Sequence, residues 1–302
     1  MRNKHHISPI LLLLPLFLLT GLLIASILVV LVQSFGLIPA FNLNEWTLQY
    51  YREVLQDPRF LESLTLSLRI AVISSLIAVV LGIILCAALV KNNKARSFSL
   101  LLIRFPILVP HSIVALFFII LFSQSGLLAR LLYALGWIQE IQDFPELLYN
   151  TSYTGAIAAY CWKEIPFVAY FCFSLMDSID KSLSEAAENL GASPLKAFLT
   201  VSLPLSFPAI AKAFFIILTF SFSAYELPFL LGVSLPKSLP VQAHLRYYSP
   251  ELLDKPYAMA SFSIILFISL LLGLLLYFLL KRLGRPGNSL AKVAEEGGYN
   301  AQ

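Results

Sequence analysis

The sequence predicts an all-α protein that crosses a membrane six times, with both termini in the cytoplasm. Of its 302 residues 59% are hydrophobic and only 13% charged, with a mean hydropathy of +0.82, too little polar surface to cover a water-soluble globule. The apolar residues fall in long continuous runs without strand-like alternation, and such runs satisfy their backbone hydrogen bonds in lipid as helices. Lysine and arginine are unevenly shared between the connections. The N-terminus, the 91–104 and 177–205 loops and the tail carry twelve of them, against six in the three opposite loops. Positive residues concentrate on the cytoplasmic side, so the first set faces inward. The net charge of +4 follows from that topology and calls for no nucleic-acid partner.

A hydrocarbon core about 30 Å thick needs about 20 apolar residues per helix, and six stretches qualify, near 10–33, 66–90, 105–124, 153–176, 209–232 and 257–280. The first follows Arg2-Asn3-Lys4-His5-His6, as a secretory signal would, but its apolar run far exceeds the usual signal core of about 7–15 residues. It reads as a retained span, and residues 1–63 are expected to comprise it and an external loop. The remaining five spans form a core domain over 64–284. Arg69 and Arg104 lie near span ends, where long cationic side chains reach headgroups. In the third span Pro106, Pro110 and His111 mark either a bent, cavity-facing helix or one accommodated by packing; both readings are open.

The fourth span holds Lys163 and Glu164 near its middle. Charges there cost about 2.5–3.5 kcal/mol each on insertion scales and usually face a bundle interior or a water-filled cavity. Adjacent helical residues project about 100° apart, so the two do not face each other as an ion pair. Either they meet a solute along a translocation path, or they satisfy packing where Pro166 breaks the helix. In the fifth span Lys212, Thr219, Ser223 and Glu226 share one helical face. The last three line a path, or the hydroxyls bond their own backbone; Lys212 is expected to snorkel to the cytoplasmic interface. The sixth span is cleanly apolar, and the tail over 285–302, glycine-containing and polar, is expected to be loosely attached or disordered.

Between spans four and five lies Ser182-Leu183-Ser184-Glu185-Ala186-Ala187-Glu188-Asn189-Leu190-Gly191-Ala192-Ser193-Pro194. Ser182 and Glu185 form a capping box that starts a helix. Gly191 suits the left-handed residue that closes it, and Ser193-Pro194 offers a new N-cap with proline at the first helical position, so a second short helix runs toward Pro204. Ala186 and Ala187 thin one side of the first helix, while Leu190, Leu195, Phe198 and Leu199 supply apolar surface. This hairpin is either a knob for a partner or an ordinary membrane-surface turn.

The run Glu185-Ala186-Ala187, three residues, Gly191, nine residues, then Val201-Ser202-Leu203-Pro204 resembles the EAA loop of permease subunits in binding-protein-dependent ABC importers. The family pattern ends I-x-L-P, and Val201 stands where it has isoleucine. Trp162-Lys163-Glu164-Ile165-Pro166-Phe167 is similar to the family's fourth-helix region, and the resemblance covers roughly residues 60 to 280. It implies the type I ABC importer permease fold. It also implies a coupling helix seated on a cytoplasmic ATPase subunit, a role carried onto Ser182, Glu185, Ala186, Ala187, Leu190, Gly191, Ala192, Ser193, Pro194, Phe198 and Pro204. The implied partners are two ATPase subunits, a second permease chain, identical or related, and an extracytoplasmic solute-binding protein, in a bacterial inner membrane. Ala224-Tyr225-Glu226-Leu227-Pro228 and Leu239-Pro240-Val241 are similar to the polyamine, iron, thiamine and phosphonate branch more than to sugar permeases. Glu164, Glu226 and the net-negative outer loops favour a polyamine-like cation.

No G-x-x-x-x-G-K-S/T phosphate loop occurs, so ATP is expected to be used by the partner and no cofactor to be bound by this chain. His5, His6, His111 and His244 make no recognisable zinc spacing, and Cys86, Cys161 and Cys172 fall in apolar spans as small apolar residues. No nucleophile and base stand at a catalytic spacing, so no catalytic residue is assigned. A self-sufficient secondary carrier or channel is the competing reading, with Lys163 and Glu164 as its ion residues.

Overall fold

The computed structural model describes residues 9–91, 103–176 and 186–283. They are helical throughout, apart from loops and one isolated bridge between Ile38 and Leu43. In chain order the helices are α1 (Pro9–Ser34), α2 (Gln49–Gln56), α3 (Pro58–Lys91), α4 (103–108), α5 (His111–Phe122), α6 (Leu127–Ala134), α7 (Thr154–Met176), α8 (186–189), α9 (Pro194–Ala197), α10 (Leu203–Leu205), α11 (Phe207–Ser223), α12 (Glu226–Leu231), α13 (Leu239–Tyr247) and α14 (Lys255–Leu283). Ser182, Glu185 and the 285–302 tail lie outside the described residues.

Among the described residues four helical segments are long and apolar enough to cross a bilayer, Leu13–Ser34, Pro58–Leu89, His111–Ala134 and Leu252–Arg282; a fifth is counted if the bent pair Phe198–Leu205 and Phe207–Ser223 is one span. The expected six therefore becomes four or five by length and composition. The fourth expected span is present as α7, whose 23 residues reach about 34 Å, but Lys163, Glu164 and its tyrosines dilute its hydropathy. It tolerates them because protein surrounds it: Ala156, Ala159, Tyr160, Val168 and Ala169 are fully buried, and α5, α11 and α12 pack on it. A helix sheathed by other helices need not be apolar toward lipid.

Proline chemistry explains why two other expected spans are interrupted. A proline ring clashes with the carbonyl four residues earlier and offers no N–H to it. Span three breaks at Val109, immediately before Pro110, and resumes as α5. Span five breaks at Ala224, which is extended at ψ 139°, four residues before Pro228, and resumes as α12. Glu226 thus stands on a different helix from Lys212, Thr219 and Ser223, and the expected single polar face ends at Ser223. Pro166, by contrast, is accommodated inside a continuous α7, so the expected local break is absent.

The described residues divide into two compact units, 9–61 with 242–266, and 62–241 with 267–283. In the first, Phe35 packs on Trp46 and Tyr51, and the Ser34 and Tyr51 hydroxyls are 2.6 Å apart. Tyr50 meets Tyr257 edge-on, Tyr257 donates its hydroxyl to the Glu53 carboxylate, and Arg246 lies over the Tyr257 ring while pairing with Asp254 at 3.4 Å. Burying these rings and pairing their polar edges fixes α2 on the start of α14. Asp57 accepts from the Arg59 amide at 2.9 Å and precedes Pro58, the cap and first-turn proline that start α3.

In the second unit α3 and α7 run through two apolar clusters. Leu66 and Ile70 of α3 pack with Val114 and Phe118 of α5, Tyr160 of α7 and Leu227 and Leu231 of α12. Further along, Ala78 and Cys86 of α3 pack with Val168, Ala169 and Cys172 of α7 and Ile210, Ala213 and Ile217 of α11. Small residues let the backbones approach closely, as membrane helix packing requires. A Cβ at Gly82 would lie 2.7 Å from Val168 Cβ.

Candidate coupling loop and translocation path

The loop closes as its residues dictate. Gly191 has φ +90°, its amide donates to Glu188 O at 2.9 Å and the Ala192 amide to Ala187 O at 3.0 Å, the paired bonds of a Schellman motif. Ser193 Oγ then accepts from the Lys196 amide at 3.3 Å, and Pro194 opens α9. Two helix ends that would otherwise present unpaired backbone groups are thereby satisfied within a few residues. Leu190, at the apex, is 90% exposed, and Leu199 is also exposed.

Ala186, Gly191, Ser193 and Pro204 are exposed, and Ala187 and Ala192 half-buried. Phe198 is buried within the chain's own packing, and among the described residues the large exposed apolar side chains of the turn are Leu190 and Leu199. After α9 the helix widens into a π turn over Phe198–Ser202, just ahead of Pro204, whose ring would clash with the Thr200 carbonyl in a regular α-helix. Thr200 donates its hydroxyl to Lys196 O at 2.7 Å and Ser206 to Ser202 O at 2.7 Å. The chain then turns by 59° into α11.

Lys163 and Glu164 are both buried, at 8% and 5% exposure, and each finds its own partner. Lys163 Nζ donates to Val109 O, at the break between α4 and α5. Glu164 Oε1 accepts from the Ser221 hydroxyl of α11, and Ser74 of α3 borders the same carboxylate. Glu164 Oε2 and, one turn earlier on the same face, the Tyr160 hydroxyl are buried without a hydrogen-bond partner among the described residues. Glu226, half-buried at the start of α12, is close enough for its charge to act on Lys163 and Tyr160. The arrangement therefore brings Glu226 near Lys163, and both Glu164 and Glu226 near Tyr160.

Thr219 is half-buried and Ser223 exposed, and Ser223 donates to its own helix at Thr219 O, 2.9 Å. Lys212 is exposed. Arg69 Nη2 donates to Thr151 O at 2.9 Å and Arg104 Nη2 to the Tyr170 hydroxyl at 3.0 Å, so both arginines brace loops or helices of the same unit. Arg69 also borders an open cleft of about 480 Å³ lined by Glu62, Thr65, Thr151, Ser152 and Pro236. The residues around these charges that sequence reasoning missed are the partners Ser74, Ser221 and the Val109 carbonyl, and the neighbouring Tyr160. Only Tyr160 carried a signal, its four-residue spacing from Glu164; the rest depend on which helices become neighbours.

A bundle of broken and continuous apolar helices joined by an exposed helical hairpin is the framework of an ABC importer permease. Residues 62–285 match the model of the binding-protein-dependent transport system inner membrane component, and the chain belongs to that family. It is 29% identical over 178 residues to the putrescine transport system permease protein PotI of Escherichia coli K12, covering 58% of each chain. It is 30% identical over 240 residues to the spermidine/putrescine transport system permease protein PotB of the same strain, covering 79% of this chain and 84% of PotB. It is also 30% identical over 161 residues to the molybdate/tungstate permease WtpB of Thermococcus kodakarensis, covering 53% and 56%. The chain thus matches less than two thirds of the length of PotI and WtpB. Among solved structures, it resembles a bacterial ABC transporter involved in alginate import, with TM-score 0.68 and 18% identity over 89% of this chain and 97% of that one. The methionine transporter MetNI follows at TM-score 0.57 and 14% identity over 74% and 95%. At these identities the likeness defines the fold.

Proposed function

We propose that this chain is the permease subunit of an ATP-driven ABC importer in a bacterial inner membrane, and that its solute is a polyamine-like cation. The observation that carries the reading is the exposed hairpin closed at Gly191, with Leu190 at its apex, in a chain of this family. In that role α8 and α9 seat on one of two cytoplasmic ATPase subunits, with both termini on the same side. A second permease chain completes the pore, and an extracytoplasmic binding protein delivers the solute. ATP is bound and hydrolysed by the partners.

Closure of the ATPase dimer biases the permease only if the hairpin contacts differ between its open and closed states, because equal affinity for two states shifts neither. A hairpin fixed by backbone hydrogen bonds transmits that difference to α7 and α11, the two helices it joins. Thr219, Ser223 and Glu226 border the path in this reading, with Lys163 and Glu164 buried in the helix packing behind it. The kinship to PotI and PotB and the half-buried carboxylate of Glu226 support a cationic solute.

The test is mass spectrometry of what co-purifies with the tagged chain from its native membrane in mild detergent, followed by radiolabelled putrescine uptake by the recovered assembly in proteoliposomes. A P-loop ATPase, a second permease and ATP-dependent putrescine uptake are expected. A chain recovered alone that moves solute down a gradient without ATP would overturn the importer reading, and an intact assembly indifferent to putrescine would overturn the solute.

A further inference from the structure

We infer that Lys163 and Glu164 are positioning residues that tie both interrupted spans to α7, rather than groups that bind the solute. The inference rests on the proposed path and deepens it. Lys163 reaches the Val109 carbonyl at the α4–α5 break. Glu164 holds Ser221 of α11, three residues before the extended Ala224 that separates α11 from α12. His111, first residue of α5, packs its ring at a tilt on Phe220 of the same α11, centroids 5.0 Å apart, so the start of α5 also meets the last turn of α11. Glu226, first residue of α12, acts on the Lys163 charge from beyond the second interruption.

One polar dipeptide on a continuous helix thus addresses two interrupted ones. The chemistry fits that task. A helix break inside a membrane frees carbonyls that lipid cannot satisfy, and tolerance requires a donor from a neighbouring element. An ammonium is a strong donor for such a carbonyl, and hydrogen bonds to charged groups are stronger than neutral ones. The roughly 100° between adjacent residues lets Lys163 and Glu164 serve different neighbours at one level of the bundle. Both are buried against protein, where a translocated solute would need an exposed group.

The full assembly in nanodiscs, probed by amide hydrogen exchange and radiolabelled putrescine uptake, tests this. Lys163→Met is expected to speed exchange over residues 103–114 about tenfold or more while leaving residues 267–283 unchanged, with Lys163→Arg partly restoring protection. Glu164→Gln, which keeps an acceptor for Ser221, is expected to leave the KM for putrescine within about twofold, whereas Glu164→Leu lowers the maximal rate at unchanged KM. Unaltered exchange over 103–114 in Lys163→Met would overturn the pinning role. A KM raised tenfold in Glu164→Gln at full maximal rate would overturn it in favour of solute contact. The exchange measurement needs no solute, so failure of the polyamine assignment leaves it decisive.

Discussion

Gly191 holds φ +90° with nothing within 4 Å of a hypothetical Cβ, so its requirement is conformational, not steric. A β-branched residue there costs about 1–2 kcal/mol in the left-handed region and opposes the two Schellman bonds. Gly191→Val is expected to insert normally but lose solute uptake and solute-stimulated ATP hydrolysis; normal uptake in that strain would remove the hairpin from the coupling mechanism. Gly232 is the opposite case. A Cβ there would lie 2.2 Å from the Tyr153 ring, whose hydroxyl is anchored on Pro236 O at 2.6 Å. Overpacking of that kind costs about 1–3 kcal/mol, and Gly232→Ala is expected to lower the midpoint of thermal unfolding in detergent, with Tyr153→Phe relieving little of it because the ring remains. Gly191 was legible from its place in the loop pattern. Gly232 was not, because the tyrosine that crowds it is 79 positions away in sequence.

Helices α2 and α14 share a contact that responds to pH. Tyr257 donates to Glu53, with help from Gln49 and the nearby Arg246 charge, and these hold the Glu53 carboxyl below its ordinary value. A depressed carboxylate stabilises the folded state above its unfolded pKa, and that contribution is lost as pH falls through the folded one. The pH dependence of unfolding in wild type and Glu53→Gln should therefore differ at neutral pH and converge below the ordinary carboxylate range; parallel curves throughout would show that the bond does not contribute. At the same scale, the capping rules located the α9 start at Ser193-Pro194. Proline placement accounts for the interruptions at Val109 and Ala224, yet Pro166 sits inside an unbroken helix. Pro15 is likewise carried inside a continuous α1, so a proline does not by itself dictate a break; at Pro166 the packing of α5, α11 and α12 on α7 helps offset the local penalty of about 3 kcal/mol. Ser193→Ala should cost about 1 kcal/mol of local stability, visible as faster amide exchange over 195–197 with the spans unaffected.

For the whole molecule, composition alone required a bilayer, because 59% hydrophobic residues cannot be hidden in a soluble fold of this size. The loop pattern pointed to the family that the match over 62–285 establishes. Sequence also singled out Lys163 and Glu164, since a charge in an apolar run is conspicuous without coordinates. What only the tertiary structure decided is what those charges do. Val109 and Ser221 lie 54 and 57 residues from their partners, and a local pattern cannot encode which helix faces which. Span number followed the same division. Hydropathy marks a segment that meets lipid, whereas α7 meets protein, and its polar residues are admissible only because neighbouring helices replace the lipid around it.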